Sequence, residues 1–324
     1  MRFLSFAAVA GIVGILGLAL LPEPDGGHVQ MEGLPEPAPG GHVQVEDLPE
    51  PAHRDYSDRG LTGGVSNYIT VKGDTLQGVS ARVGVDAATL AADNGLKVTA
   101  ALPVGLALRI DNRHIVPAGV SPGMITINVP QRILFYEWES TAFALPVAIG
   151  QPGWKTPRGP FTVLTKETNP TWNVPESIRE EARRAGRSLP AVVPAGPNNP
   201  LGKFWLGLSI PGVGIHGTNA PASIYRAATH GCIRLGPQDI AWLFDRVRVG
   251  TPGRVVDEPV LLAVVGDEIF LEVHRDIYRQ QPRLAGEQAR MLVEAAGVVL
   301  DVDWDAVDAA IAERRGIATR VGRR

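Results

Sequence analysis

The sequence predicts a mainly β protein: a principal domain of strands with short helices, a small βααβ module before it and a helical extension after it. Three observations carry this. Apolar runs of strand length at 125–129, 133–136, 143–149, 161–165, 204–209 and 213–216 are separated by long loops rich in glycine and proline. Helical signals near them are confined to 177–185 and 237–247, so the strand–helix alternation of a doubly wound fold is missing. Beyond residue 257, a strand near 268–273 is followed by two amphipathic stretches, 286–296 and 306–314.

At 324 residues the chain has room for about two domains of ~150 residues each. A net charge of −3 gives no overall basic field, so nucleic acid is not an expected partner. Met1 and Arg2 precede an uncharged run at 3–21, the layout of an export signal. That run approaches the ~20 residues a helix needs to cross a bilayer, and no small-residue cleavage pattern closes it. Residues 1–21 are therefore expected to be an uncleaved signal-anchor, with a cleaved signal peptide as the alternative. Arg2 stays cytoplasmic and the rest is exported to the periplasm. Residues 22–66 read as a Pro/Gly-rich spacer in which LPEPDGGHVQMEG, LPEPAPGGHVQVED and LPEPAHRD repeat. Pro-Glu-Pro units favour extended backbone, and each repeat has too few apolar residues to stack into a solenoid.

Residues 67–110 read as β-α-α-β. A strand at 68–71 meets the Gly73-Asp74 turn. Thr75 caps a helix through 82, Asp86 caps another through 93, Asn94-Gly95 ends it, and 106–110 closes the sheet. Leu76, Val79, Val83, Leu90 and Leu96 form its small core. The run Gly73-Asp74-Thr75-Leu76, with Tyr68, Val71, Leu90, Asn94, Pro103-Val104-Gly105 and Leu108, resembles a LysM module. That resemblance implies binding to N-acetylglucosamine-containing glycan strands, with Gly73, Asp74, Thr75 and Asn94 as the carried-over glycan site. Leu106 departs from the glutamine common in that family.

After a polar connection at 111–122 comes the principal domain, 124–256. It holds Cys232, the one cysteine of the chain. In an exported protein a single cysteine has no disulfide partner within the chain, and histidines at 216 and 230 make it a candidate nucleophile. A free thiol of pKa ~8.5 attacks best as thiolate, which neighbouring imidazolium or guanidinium groups favour. In an extended segment His230 and Arg234 flank Cys232 on one side. His216 ends a strand and can approach as base, and the N–H groups at Gly231 and Cys232 can face a developing oxyanion. Spacing alone does not decide which histidine takes the proton. A zinc site from His216, His230 and Cys232 would be one ligand short of a closed site though acceptable as a catalytic one; no other ligand-spaced pair is evident, and neither a metal nor a cofactor is expected.

The block HGTNAPASIYRAATHGCIRL resembles the signature of the L,D-transpeptidase catalytic domain (YkuD-type), and the likeness extends over 124–256 through GQPGWKTPRGPF, NPTWNVPESIREE and VVPAGPNNPLGKFWLGL. The last two, with EPVLLAVVGDEIFLEVHRDIY, look most like the periplasmic branch of Gram-negative bacteria. The resemblance implies a β-sandwich-like, L,D-transpeptidase type fold and a cysteine acyltransferase acting on peptidoglycan stem peptides. Its acceptor would be another stem, an outer-membrane lipoprotein, a D-amino acid or water. Carried over, Cys232 is the nucleophile and His216 the general base, oriented by Gly217. His230 and Gly231 shape the oxyanion side, and Arg234, Thr229 and Tyr225 bind substrate. Tyr225 and Arg226 stand where the family usually has glycine, which suggests a narrowed groove. Residues 170–200, with Arg179, Arg183 and Arg184, read as a helix-bearing lid. Trp154, Trp172 and Trp205 read first as core packing, with a groove-lining role as the alternative. A cysteine–histidine endopeptidase and a non-catalytic wall-binding scaffold are the competing functions, and 257–324 has no assigned role.

Overall fold

A computed structural model describes residues 60–138, 141–280, 283–296 and 301–324. The expected signal-anchor and most of the repeated spacer lie outside these residues. Among the described residues no helix is long and apolar enough to cross a membrane.

The principal domain is one nine-stranded sheet, and eight of its strands close into a ring. Around the ring run Thr141–Gly150, Ile233–Leu235, Gly214–His216, Phe204–Leu208, Gly159–Thr168, Pro252–Val256, Ile125–Asn128 and Ile133–Trp138, which pairs back to Thr141–Gly150. The ninth, Ala227–Thr229, lies parallel to the end of Thr141–Gly150. The sandwich-like layering of the sequence reading thus takes the form of a closed barrel. The long strand Thr141–Gly150 makes this possible, because different halves of it pair with Ile133–Trp138 and with Ile233–Leu235. Closure satisfies the N–H and C=O groups that open edges would leave unpaired.

Inside the ring Ile127, Leu134, Leu145, Val147, Leu206, Ile215 and Ile233 pack with Leu243 of the helix Pro237–Arg246. The opposite face of the same strands is buried too: Ile133, Phe135, Ala144 and Ala148 meet Ala81, Ile224 and Tyr225. Two buried faces explain why these strands read as continuous apolar runs rather than alternating ones. Each fully buried Phe or Ile contributes roughly 1.5–3 kcal/mol.

The βααβ module forms as the sequence predicts. Strands Val65–Ile69 and Ala107–Asp111 pair antiparallel, and helices α1 (Leu76–Val83) and α2 (Ala87–Asp93) pack over Leu76, Val79, Leu90 and Leu108. Thr75 caps α1 by accepting the Gly78 N–H at 3.0 Å. Asp86 makes no side-chain cap to α2. Its carboxylate instead receives both terminal nitrogens of Arg132 on the barrel, at 3.0 and 2.9 Å. A guanidinium offers a forked pair of donors that a backbone N–H does not.

The C-terminal segment is more than a strand and two helices. Val260–Val265, Glu268–Val273, Thr319–Arg323 and Asp301–Val302 form a four-stranded sheet, on which α5 (Ala285–Ala295) and α6 (Trp304–Glu313) pack. Its end joins the LysM-like module: Ile317, 3% exposed, sits in the core with Leu76 and Leu90. The Ala318 N–H donates to Arg113 O at 2.8 Å. Leu61–Thr62, inside the predicted spacer, pairs with His114–Ile115, inside the predicted connection. Both segments therefore belong to the folded unit. At the seam a wholly buried Glu272 accepts from Gln131 (3.1 Å) and sits 2.8 Å from His114 Nδ1 and 2.6 Å from His274 Nε2.

Candidate active site

The thiol sits just before the strand Ile233–Leu235. That strand runs parallel to Gly214–His216, with Ile215 opposite Ile233 and His216 opposite Arg234. Side chains alternate along strands, so Cys232 and Arg234 share the face that carries Gly214 and His216. This register brings thiol, imidazole and guanidinium onto one patch.

His216 is 3% exposed, and its Nδ1 lies 2.7 Å from Gly217 O. A carbonyl only accepts, so Nδ1 carries the proton and Nε2 keeps a free lone pair. Burial, reinforced by the Arg234 charge, pulls the His216 pKa down to about 3, against the pull of the Gly217 and Leu201 carbonyls. Burial also pushes the Cys232 thiol up, opposed by the Gly214 backbone and by Arg234. The expectation that nearby cations give a depressed thiol pKa is therefore reversed. Desolvation of a half-buried sulfur exceeds one guanidinium's attraction, and a neutral His216 supplies no charge. The resting site holds a thiol, with Cys232 Sγ 3.7 Å from Gly212 O, on the same face as a neutral imidazole.

The segment before Cys232 is not extended. Gly231 has φ of +105°, a conformation that a side chain would strain, and this turns His230 away from the row expected for it. His230 Nε2 instead lies 3.0 Å from Glu181 Oε2, and its ring meets the edge of Trp154 with centroids 5.2 Å apart. The Gly231 N–H donates to Thr229 Oγ1 at 3.2 Å, and the Thr229 hydroxyl donates to Cys232 O. Thr229 thus closes the turn on itself. Arg234 donates from one terminal nitrogen to Ser223 Oγ at 2.9 Å.

Two further residues support this turn, and the sequence marks only one of them. Thr156 is 1% exposed; its Oγ1 accepts the Gly150 N–H at 2.9 Å and donates to Gly231 O at 3.0 Å. Tyr278, from the C-terminal segment, accepts the Thr156 N–H at 3.0 Å and donates to Gly150 O at 2.8 Å. A chain of hydrogen bonds thereby runs from Tyr278 to the turn that bears the thiol. The TPRG motif marks Thr156, but nothing local marks Tyr278.

The tryptophans divide. Trp205 lies opposite His216 in the sheet and stacks on its ring, centroids 5.9 Å apart and planes at 24°. Gly214 is required beneath it, since a Cβ there would lie 2.3 Å from the indole. Trp154 borders His230. Both are only partly buried and outside the barrel core, so the core-packing expectation fails for them. Trp172 lies on the flap that spans the predicted lid. Trp172–Asn173 pairs with Val192–Val193, and α3 (Glu176–Arg184) lies between them. Arg179 and Arg183 pair with Glu176, and Arg184 with Glu180, inside α3. Asn199 fastens the base by donating to Pro170 O at 2.9 Å.

Tyr225 does not bind at the site. It is 2% exposed, with its ring on the Arg132 guanidinium 4.1 Å away, in the cluster where the barrel meets α1. Its φ of +61° explains why glycine suits this position, and packing across the module junction offsets the strain for a tyrosine. Arg226 is exposed. In the LysM-like module the polar groups proposed for glycan are engaged internally. Asp74 accepts from the Val71 N–H (2.8 Å) and Tyr68 O–H (2.7 Å), and Thr75 caps α1. Asn94 bridges Leu90 and Arg109. These three shape the module, while Gly73 lies exposed at the turn. Among the described residues, the one group able to hold a metal ion is His114, Glu272 and His274, away from the thiol.

The fold is thus a closed barrel that brings a thiol, a histidine and an arginine onto one face and is joined to a βααβ module; similarity to known proteins gives its family. Residues 122–256 match the L,D-transpeptidase catalytic domain (YkuD) and residues 68–111 match the LysM domain. The chain is 36% identical over 225 residues to "Probable L,D-transpeptidase YbiS" of Escherichia coli K12, covering 67% of this chain and 73% of that protein. It is 34% identical over 227 residues to "Probable L,D-transpeptidase ErfK/SrfK" of the same strain, covering 67% and 72%. A solved L,D-transpeptidase from Mycobacterium smegmatis overlaps 41% of this chain and 57% of its own, at 26% identity and a TM-score of 0.31. The chain belongs to the L,D-transpeptidase family and carries a LysM domain, which gives it a peptidoglycan-related function.

Proposed function

We propose that the protein is an exported, periplasmic L,D-transpeptidase that uses Cys232 to transfer the acyl group of a peptidoglycan tetrapeptide stem. The observation that carries this is the His216 arrangement. Its Nδ1 is fixed on Gly217 O, which leaves Nε2 as the basic atom on the face shared with Cys232. The thiol proton passes to Nε2 as sulfur bonds to the carbonyl carbon of the diaminoacid. The resting pair is a thiol and a neutral imidazole, because burial lowers the His216 pKa and raises that of Cys232. As the tetrahedral centre collapses, the C–N bond breaks and His216 returns the proton to the departing D-Ala amine. An acceptor amine then attacks the thioester and loses its proton to His216, and the sulfur leaves to regain it. With a second stem as acceptor the product is a 3→3 cross-link; a lipoprotein lysine or a D-amino acid would enter by the same step. His230 and Gly231 frame the oxyanion side of the turn, while Arg234 and Thr229 hold its geometry. The LysM domain brings glycan strands to the barrel, and the N-terminal segment tethers the chain to the inner membrane.

The test is mass analysis of products from a purified disaccharide-tetrapeptide. The wild type is expected to release D-Ala and form 3→3 dimers. Cys232→Ala is expected to do neither while keeping its circular dichroism and melting midpoint. Turnover by that variant would refute the assignment, and cleaved monomers without dimers would assign hydrolysis instead.

A further inference from the structure

Two cavities open where the LysM domain, the barrel and the C-terminal sheet meet. The larger, about 630 Å³, and the smaller, about 390 Å³, share Asp86, Ala88 and Arg132 as walls. The larger one reaches Arg275, Arg314 and Arg315; the smaller one ends at Arg226 and Ala227. Volumes of this order suit a ligand of drug or short-peptide size.

The charges sort into two sets. Arg132 is matched by Asp86, and Arg315 by Asp93. Arg226, Arg275 and Arg314 form no ion pair among the described residues, although the Arg275 charge reaches Asp86 and helps hold its carboxyl down; Glu313 is the one other acid in the larger wall. The balance is positive in a chain whose net charge is −3. Arg314 takes φ of +49° at the end of α6 and donates only its Nε, to Ile311 O at 3.2 Å, so its terminal nitrogens stay available. Planar guanidinium forks left this way suit carboxylates better than isolated point charges do.

We propose that this cleft is a second peptidoglycan site, which binds the carboxylate-bearing stem peptide of a strand neighbouring the one that is acylated. The assignment rests on the proposed substrate. One wall is α2 of the LysM domain, so a glycan strand held there would hang its stems over the arginines. Neither cavity is lined by Cys232, His216 or Arg234, yet Ala227 lies five residues before Cys232 and so at most ~18 Å from it. The cleft thus shares no residue with the thiol site, and a stem held in it lies near enough to one on the thiol to belong to the same wall layer.

The experiment uses the full chain with Cys232→Ala, and two ligands: a fluorescent disaccharide-tetrapeptide, and an N-acetylglucosamine hexamer that has sugar but no carboxylate. Adding Arg275→Ala and Arg314→Ala together is expected to weaken the disaccharide-peptide about tenfold and flatten its salt dependence. The sugar hexamer should keep its affinity, and Arg275→Lys with Arg314→Lys should restore part of the loss. A photoreactive tetrapeptide should cross-link to the end of α6. Unchanged peptide affinity, an equal loss for both ligands, or adducts confined to 228–234 around the thiol would each overturn the proposal. Absence of D-Ala release by the wild type would sink the transpeptidase reading while leaving arginine-dependent binding intact, so the two failures are separable.

Discussion

Tyr278→Phe isolates the contribution of the C-terminal segment to the thiol site. The substitution keeps the ring and removes one oxygen, which accepts the Thr156 N–H at 3.0 Å and donates to Gly150 O at 2.8 Å. Thr156 is 1% exposed, so water cannot readily replace the lost partner. A buried donor left unsatisfied costs about 1–3 kcal/mol, and the second bond adds about 1 kcal/mol. The expected loss of stability is therefore about 2–4 kcal/mol, read as a lower midpoint in urea with an unchanged slope. The functional effect travels one bond further. Thr156 Oγ1 holds Gly231 O at 3.0 Å, and Gly231 precedes the nucleophile. A displacement of ~1 Å at a reacting group costs on the order of 100-fold, so single-turnover acylation should slow by at least tenfold. KM for the disaccharide-tetrapeptide should stay within about twofold, because Tyr278 touches no part of the open site. Wild-type acylation in a destabilised variant would refute the positioning chain while leaving Tyr278 a packing residue.

Other consequences follow from the same contacts. Trp205→Ala uncovers His216; with less desolvation its pKa should rise from about 3 toward 6.5, so the acid limb of kcat/KM should move to higher pH. An unmoved limb would mean that the indole does not set the histidine's environment. Ile317→Ala removes a side chain from the LysM core and is expected to cost about 2–5 kcal/mol, with protease cleavage appearing in 111–122. Acid stability tests the buried seam. Burial pushes the Glu272 carboxyl up, but its interactions with His114 and His274 together outweigh this and hold it at about 2. His274 is also held below its usual value, chiefly by burial. Both groups then favour the folded state at neutral pH. The His274 contribution is lost as pH falls below about 6.5, and that of Glu272 as it falls from about 4.5 toward 2. Urea midpoints from pH 7 to 3 should fall steeply in the wild type and less steeply in Glu272→Gln; parallel curves would exclude the seam as the cause.

The parts of this protein written locally were legible, and those made by distant pairing were not. The GDTL turn announces a capped helix because the Thr75 hydroxyl and the Gly78 N–H lie three residues apart. The cap forms as read. The HGC block announced a nucleophile because three functional groups fall within five residues. Its conformation was misread, since an extended segment is the default and only the left-handed Gly231 breaks it. The thiol's electrostatics were misread for a related reason: sequence shows which charges are near, but not how much water is excluded. Tyr225 failed differently. Its departure from glycine was noticed and assigned to the substrate groove, because the sequence alone gives no sign that the LysM domain packs against that side of the barrel. Arg132, Asp86 and Tyr225 meet across 139 positions of chain. Tyr278 and Ile317 belong to the same category. Each looks like an ordinary apolar residue in a C-terminal extension, yet one reaches Thr156 and the other enters a core built from residues 76–110. The extension therefore fixes both the glycan module and the thiol turn relative to one barrel. Under the proposed function, a glycan strand on the LysM domain and a stem on Cys232 would be held by one folded body, which would limit the stems that can reach the thiol.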